Sequence, residues 1–461
     1  MSNEKKSTQF LIPNSKFLIE ISGLGSSGEG VGKLGELIVF VEGALPNEIV
    51  TAEITQTKKN YAVGKLIEVV KPSSERVKPF CPLYETCGGC QLQHMNYSAQ
   101  LNRKRQQVVD AIERIGKLDN VEIFDTLGME NPLRYRNKMQ FPVGKNLRVG
   151  CYARGSHKII DTNSCLIQNA GNDKILNAVR KVAQKFNLQP YDEDTHRGFL
   201  RHVMGRVGCD GELMIVLVTA TEKFPSAKSF VRALLKELPE VTSVQQNIQT
   251  FRNNVILGRE TKILYGKPTI HDTIGELKFN ISARSFFQVN TVQAEVLYKT
   301  ALDFCELHGH ETVIDAYCGT GTISLFLAKR ARKVFGVEVV GSAISDAKKN
   351  ARENNIRNAE FIVGDAVKIL PKLFDADIHA DVVVVDPPRA GCDKKVLETF
   401  AAMCPEKIIY VSCNPATLAR DLKILDELGY VTKKIQPVDM FPFTSHVEAV
   451  AQVVRKSEVV S

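Results

Sequence analysis

The 461-residue chain has no apolar run near the roughly 18 residues that a bilayer-spanning helix needs, so no membrane partner is expected. Its opening, MSNEKKSTQF, lacks the apolar core of a secretory signal, and a cytoplasmic location follows as the expectation. Internal repeats and low-complexity tracts are absent too. A G-x-G-x-x-G dinucleotide fingerprint is missing. Gly28-Glu29-Gly30-Val31-Gly32-Lys33 fails as a nucleotide P-loop, because Ser27 and Leu34 stand where Gly and Ser or Thr are required. That segment reads as a turn.

What is present is ordinary for a soluble globular protein: 44% hydrophobic and 24% charged residues, in a length suited to about two to four domains. The net charge of +8 is a weak tilt toward an anionic partner. Two clusters are more pointed. In Arg134-Tyr135-Arg136-Asn137-Lys138 the cations fall at every second position, which on a strand would align them on one face at phosphate-binding spacing. His196-Arg197-Gly198-Phe199-Leu200-Arg201-His202 is a second basic-aromatic stretch. A solvated charged face explains either cluster equally well.

Three regimes follow one another. Residues 10–72 hold short β segments (FLIEIS, ELIVFVEG, IVTAEITQT, YAVGKLIEVV) separated by turns, which suits a small barrel of oligonucleotide-binding type. A cysteine cluster comes next, and then a helix from near Tyr97 to Gly116 with Leu101, Val108, Ile112 and Ile115 on one face. The stretch from about 126 to 285 mixes strands such as LMIVLVTA with amphipathic helices such as AGNDKILNAVRKVAQKF. Beyond about 290, short Val/Ile strands alternate with helices, the pattern of a buried parallel sheet in an α/β Rossmann-like domain.

That last region carries chemistry. Asp315-Ala316-Tyr317-Cys318-Gly319-Thr320-Gly321-Thr322 joins the first of these strands to its helix, and its glycines let backbone approach a ligand. Glu338 ends the next strand, where an acid can accept both hydroxyls of an adenosyl ribose. Gly364-Asp365 follows the third strand, suited to an adenine edge, and Asp386-Pro387-Pro388 follows the fourth. S-adenosylmethionine has no phosphate, so a short glycine turn serves it.

Ser412-Cys413-Asn414-Pro415 ends the strand KIIYV and opens a helix, where backbone amides should give Cys413 thiolate character. Cys209, Cys305 and Cys404 read instead as small buried hydrophobes. A thiolate beside a methyl donor has a purpose: adding to carbon 6 of uracil makes carbon 5 nucleophilic. The displaced carbon-5 proton then needs a base. Alternation along HVEAVAQVV sets Glu448 on one face with His446, and Val447, Ala449 and Ala451 on the other. A carboxylate there should have a raised pKa, and Asp386 could orient the base or the cofactor.

Cys81-x5-Cys87-x2-Cys90, with a remote Cys165, looks like a ligand set, and Gly88 and Gly89 would let the loop wrap a metal centre. Spacing alone leaves zinc and an iron–sulfur cluster equally open.

Together ISARSFFQVN, DAYCGTGTISL, VVDPPRAG, YVSCNPATLARDL and FPFTSHVEAV closely resemble the motifs of bacterial RNA (uracil-5-)-methyltransferases, particularly the 23S ribosomal RNA type with a TRAM barrel and an iron–sulfur cluster. The resemblance runs over nearly the whole chain. It implies a TRAM barrel at 10–72, a central α+β iron–sulfur and RNA-binding domain at 73–92 and 126–285, and a methyltransferase domain at 93–125 and 286–461. It further implies S-adenosylmethionine contacts at Gln288, Tyr317, Thr322, Glu338, Asp365 and Asp386, with Cys413 as nucleophile and Glu448 as base. A 4Fe–4S cluster would sit on Cys81, Cys87, Cys90 and Cys165. The family turn often carries Phe at the place of Tyr317 and Asn at that of Thr322. The implied partner is RNA, ribosomal rather than transfer, and the chain is expected to act as a monomer. A cytosine-5 RNA methyltransferase would want a second cysteine after proline, where Pro388-Arg389 stands.

Overall fold

The computed structural model describes residues 14–456, so the outer ends of the expected barrel (10–13) and methyltransferase domain (457–461) lie outside it. Strands β1 (Lys16–Leu24), β2 (Gly30–Leu34), β3 (Leu37–Glu42), β4 (Ile49–Thr57) and β5 (Tyr61–Lys71) close into a barrel in the order β1-β2-β3-β5-β4. Alternation turns Ile19, Ile21, Val39, Val41, Val50, Ala52, Ile54 and Ala62 inward. The expected turn at Gly28–Lys33 is only partly one. Gly28 turns at φ 96°, but β2 starts at Gly30. A Cβ on Gly32 would lie 2.5 Å from Ile19 Cγ2, so these glycines let strands press together rather than cradle a phosphate.

Helix α1 (Tyr97–Ala111) starts on the Asn96 side chain, which accepts from Ala99 N, and runs on as a π-helical turn over Ile112–Gly116. Its buried face differs from the expected one. Ile115 is exposed, while Gln100 and Lys104 are buried with Ala99, Val108 and Ala111. Lys104 Nζ pairs with Asp439 Oδ1 at 2.5 Å, and its buried amine is thereby kept in company. After β6 (Glu122–Ile123) come β7 (Lys138–Gly144), β8 (Arg148–Tyr152), β9 (Ile159–Asp161), α2 (Ala170–Lys185), β10 (Leu200–Val207), β11 (Leu213–Thr219), α3 (Ala227–Glu237), β12 (Val241–Ile248) and β13 (Glu260–Gly266). These seven strands from β7 to β13 form one sheet, in the order β13-β12-β11-β10-β7-β8-β9.

The basic clusters are partly withdrawn from solvent, although His196 and Arg197 stay exposed. Arg134 has φ 58° and β7 begins only at Lys138, so the cations do not share one strand; the Arg134 guanidinium pairs with Asp173 at 2.5 Å while donating to Cys165 O at 3.0 Å. Tyr135 is buried, and burial lowers the Lys138 amine to about 7. Arg201 is buried against the carbonyls of Gln249 and Phe251, 4.4 Å over the Tyr191 ring. Neither cluster is a row of phosphate-facing cations.

The hairpin β14 (Thr269–Ile274) and β15 (Leu277–Ser282) leads into α4 (Thr291–Cys305). Then β16 (Thr312–Asp315), α5 (Thr322–Ala328), β17 (Lys333–Glu338), α6 (Gly341–Glu353), β18 (Ala359–Val363), α7 (Ala366–Asp375), β19 (Val382–Val385), α8 (Lys394–Met403), β20 (Lys407–Ser412), α9 (Pro415–Glu427), β21 (Tyr430–Val438) and β22 (Glu448–Arg455) follow. The sheet order β18-β17-β16-β19-β20-β22-β21-β6 reverses direction at β16, and β22 is antiparallel to both neighbours. The sheet separates two apolar cores, with Val450 in one and Val447, Ala449, Ala451 and Val453 in the other. Of the cysteines expected to be buried, only Cys305 is. Cys209 is half-buried, and Cys404 is exposed as the left-handed cap of α8. Among the described residues no helix is long and apolar enough to cross a membrane.

Candidate active site

Parallel strands bring their carboxyl ends to one edge. β16 ends at Asp315, β17 at Glu338, β19 stops just before Asp386, and β20 just before Cys413. Ligands bind at such an edge, where the strand order reverses. The antiparallel β22 starts at the same edge. Ser412 pairs with Ala449, so the register carried one step further sets Cys413 against Glu448 on neighbouring strands. This pairing explains why two residues 35 positions apart in sequence share a site.

The edge is acidic, with Asp315 and Glu448 buried and Asp386 half-buried. Burial pushes the Glu448 carboxyl from 4.5 up to about 8, with Asp386 adding to the rise and Arg389 opposing it. Asp386 is pushed to about 7 by burial and by Asp315. Asp315 rises to about 6 through burial, against the pull of the Ser324 hydroxyl that donates to its Oδ2 at 2.6 Å. The Cys413 thiol is also raised, first by burial and then by Glu448 and Asp386, with Arg389 opposing. The sequence expectation of ready thiolate character is thus overturned in the free protein: nearby carboxylates and desolvation outweigh the helix amides.

The cofactor turn needs its glycines, since Gly319 and Gly321 have φ 54° and 82°. Glu338 closes the turn by accepting from Gly319 N at 3.3 Å and Val340 N at 2.8 Å. Asp365 caps α7, accepting from Val367 N at 3.0 Å, and stays exposed. Thr322 donates to the Tyr298 hydroxyl at 3.3 Å. Tyr298, fully buried on α4, thus backs the cofactor turn at Thr322, a support that sequence reading missed; only its place on a helix face that looked like plain core could have flagged it. Asp315 Oδ1 is buried with no hydrogen-bond partner among the described residues. A buried carboxylate oxygen left unpaired invites a cationic ligand group. The residues present therefore fit S-adenosylmethionine, with Asp315 as an addition to the expected set.

Two networks aim the reacting groups. Asn414 Nδ2 and Thr417 Oγ1 donate to Arg389 O at 3.1 and 3.3 Å, and Arg420 donates to Ala390 O at 2.9 Å, which ties the DPPRAG loop to α9. On the other side, Asp439 accepts from Lys104, from Tyr97 Oη at 2.9 Å and from Phe441 N at 3.2 Å, fixing the loop that leads to Glu448. His446 is exposed and precedes the strand, so it does not share the Glu448 face in the way the alternation implied.

A family model for tRNA (uracil-5-)-methyltransferase matches residues 230–456, and a TRAM domain model matches 13–67. An uncharacterized RNA methyltransferase of Clostridium tetani is 53% identical over 441 residues, 95% of this chain and 96% of its own. Another, from Halalkalibacterium halodurans, is 51% identical over 94% of this chain and 95% of its own. The chain belongs to the RNA (uracil-5-)-methyltransferase family. The crystal structure of Pyrococcus abyssi tRNA (uracil-54, C5)-methyltransferase in complex with S-adenosyl-L-homocysteine superposes with a TM-score of 0.77 at 28% identity, over 95% of this chain and 100% of that one.

In this methyltransferase the expected cluster cysteines face a common cavity without forming a metal-holding group among the described residues. Cys81, Cys87, Cys90 and Cys165 line one cavity of about 1230 Å³ between the TRAM barrel and the central sheet. Among the described residues, no three His, Cys, Asp or Glu side chains form a group that could hold a metal ion. Gln91 N and Leu92 N, next to Cys90, both donate to Phe443 O at 3.0 Å. Phe443 itself packs among Tyr84, Cys90, Tyr135 and Ile167.

Proposed function

We propose that this chain methylates carbon 5 of a specific uridine in 23S ribosomal RNA, with Cys413 as nucleophile and Glu448 as base. The register that sets Cys413 against Glu448 carries the reading. S-adenosylmethionine, when bound, supplies an electrophilic methyl group on a sulfonium and so brings a positive charge to an edge crowded with Asp315, Asp386 and Glu448. A nearby cation favours the charged forms of all of them and of the thiol.

Cys413 sulfur bonds to carbon 6 of the flipped uracil, and the electron pair of the 5,6 double bond moves to carbon 5 and oxygen 4. Carbon 5 takes the methyl group and then carries both methyl and hydrogen. Glu448 removes that hydrogen as a proton, the 5,6 double bond re-forms, and Cys413 leaves as thiolate. A buried carboxyl with a pKa of about 8 is matched to a proton held on carbon beside a carbonyl. Gln288, Tyr317, Thr322, Glu338, Asp365 and Asp386 line the cofactor side, with Tyr298 backing Thr322.

The cysteine loop completes the reading. Cys81, Cys87, Cys90 and Cys165 would hold a 4Fe–4S cluster, whose contribution is a covalent tie between the 81–90 loop and the segment after β9. The four share one cavity, and the family resemblance is what favours a cluster over zinc there. The tie would also support the loop toward Glu448 through Phe443. Resemblance of the TRAM barrel and cysteine loop favours ribosomal RNA; the archaeal transfer-RNA enzyme of the same fold keeps transfer RNA as the second reading.

The deciding experiment maps 5-methyluridine in ribosomal and transfer RNA from cells with and without the gene. Loss of a 23S site is expected. Loss only from transfer RNA would select the second reading, and no loss in either would sink both.

A further inference from the structure

Arg134, Arg136 and Lys138 do not make the strand row that their spacing suggests, but the fold leaves a different group of cations. Lys138 opens β7 directly opposite Arg206 on β10, so both side chains rise from one face of the central sheet. Arg136 joins them from the preceding loop, where its Nε donates to Lys138 O at 3.2 Å. Arg206 is only 4% exposed; its Nη2 donates to Ser285 O at 2.5 Å, and its Nε has no partner among the described residues. No carboxylate among the described residues pairs with any of the three. Asp272, which reaches the Asn137 between them, accepts from Asn137 Nδ2 at 3.3 Å and Thr273 N at 2.9 Å instead. Burial, then Arg206 and Arg136, lower the Lys138 amine with no acid opposing them. Like charges facing each other on neighbouring strands destabilise a sheet, and a buried cation without a counter-ion costs more. A fold keeps such a conflict where a ligand supplies the missing anion.

The place of the group says which anion. Ser285 belongs to ISARSFFQVN, and Asn137 holds the same segment, its N donating to Val289 O at 2.8 Å and its Nδ2 to Gln288 O at 3.1 Å. The cations thus border the cofactor side of the active edge. Arg136 also opens onto the cavity of about 1230 Å³ between the TRAM barrel and the central sheet.

We propose that Arg136, Lys138 and Arg206 form a phosphate site that holds the RNA backbone next to the flipped uridine. Two guanidinium forks and an ammonium suit a phosphodiester, whose two free oxygens accept several N–H donors at once. Such a contact carries no base information; it fixes the register in which the target reaches the edge. That the held phosphate neighbours a uridine rests on the proposed reaction; the phosphate site itself does not.

The test measures binding of single-stranded oligouridylate to the full chain across a salt series. Lys138→Met is expected to weaken binding and to flatten the plot of log K against log salt by about 0.7, the share of one phosphate on a single strand. The same variant, relieved of a like charge, is expected to unfold at higher urea than wild type, which loss of a merely structural lysine would not produce. Arg206→Met tests the buried member, and Arg136→Gln, at a half-buried position, repeats the binding test should Arg206→Met fail to fold. Unchanged slopes in Lys138→Met and Arg136→Gln would overturn the site. Weaker binding of S-adenosylhomocysteine with the RNA slope intact would assign the cations to the cofactor carboxylate and overturn it too. On RNA centred on the mapped uridine, an uncharged methylphosphonate is then placed at each linkage in turn. One linkage beside the uridine is expected to weaken the wild type and leave Lys138→Met unaffected; equal losses at every linkage in both proteins would count as diffuse attraction and overturn the proposal. Failure to map any methylated uridine would sink the proposed reaction and leave the salt series to decide the phosphate site.

Discussion

Replacing Glu448 by glutamine separates what burial costs from what the carboxylate does. The folded protein raises this carboxyl from 4.5 to about 8, chiefly by desolvation. A raised carboxyl binds its proton more tightly in the folded state, so its contribution to stability is complete below pH 4.5 and is lost as pH rises through 8. At pH 7 the part already lost is about 3 kcal/mol, and beyond pH 8 about 5 kcal/mol, at 1.36 kcal/mol per pH unit. The glutamine amide keeps the shape and never ionises. Urea unfolding at pH 5 and pH 8 is therefore expected to show Glu448→Gln gaining stability on wild type by a few kcal/mol across that interval. In the same protein, turnover on uridine-containing RNA with S-adenosylmethionine is expected to fall by about 10² to 10⁴, the usual worth of a general base. Methyl transfer still occurs and elimination does not, so a denaturant-resistant protein–RNA adduct should accumulate. A variant with parallel pH-stability curves would refute the burial argument. One that turned over freely, with no adduct, would refute the role as base.

Cys413→Ala removes the sulfur that must add to carbon 6, so neither product nor adduct should be detectable, and adduct formation by the Cys413→Ala/Glu448→Gln double variant would contradict the reading. Binding of S-adenosylmethionine at pH 7 should release up to about one proton from Asp386 and Glu448, whose pKa values of about 7 and 8 a sulfonium lowers. Calorimetry in buffers of different ionisation enthalpy measures that release, and equal release with the neutral S-adenosylhomocysteine would count against it. Lys104→Met leaves Asp439 buried without its cation and should cost about 3 to 5 kcal/mol by urea unfolding. Adding Asp439→Leu should restore much of that loss, because the uncompensated charge is what destabilises.

Strand runs and glycine turns were legible because they obey local rules. VVVV at β19, KIIYVS at β20 and the positive-φ glycines of the cofactor turn each announce their conformation without help from elsewhere. The cations were not legible in this way. Arg134, Arg201 and Lys104 look identical in sequence to solvated charges, and only the folded chain shows Asp173, a pair of carbonyls and Asp439 waiting for them. Tyr298 escaped notice for a related reason: a helix face predicts burial and says nothing of which hydroxyl or amide a buried phenol will meet.

The same distinction bears on Cys413. A strand end beside a helix N-terminus is a local feature that favours a thiolate, yet burial in the folded chain, and then Glu448 arriving from a different strand, reverse the sign. Reactivity at this edge is thus set by groups brought together late in the chain. Glu448 depends on a loop pinned by Lys104 at Asp439 and by the cysteine loop at Phe443. A change in the cysteine loop should then reach the base through two amide-to-carbonyl bonds at Phe443. Loosening that loop should slow elimination more than methyl transfer, because Cys413 is fixed from the other side by α9.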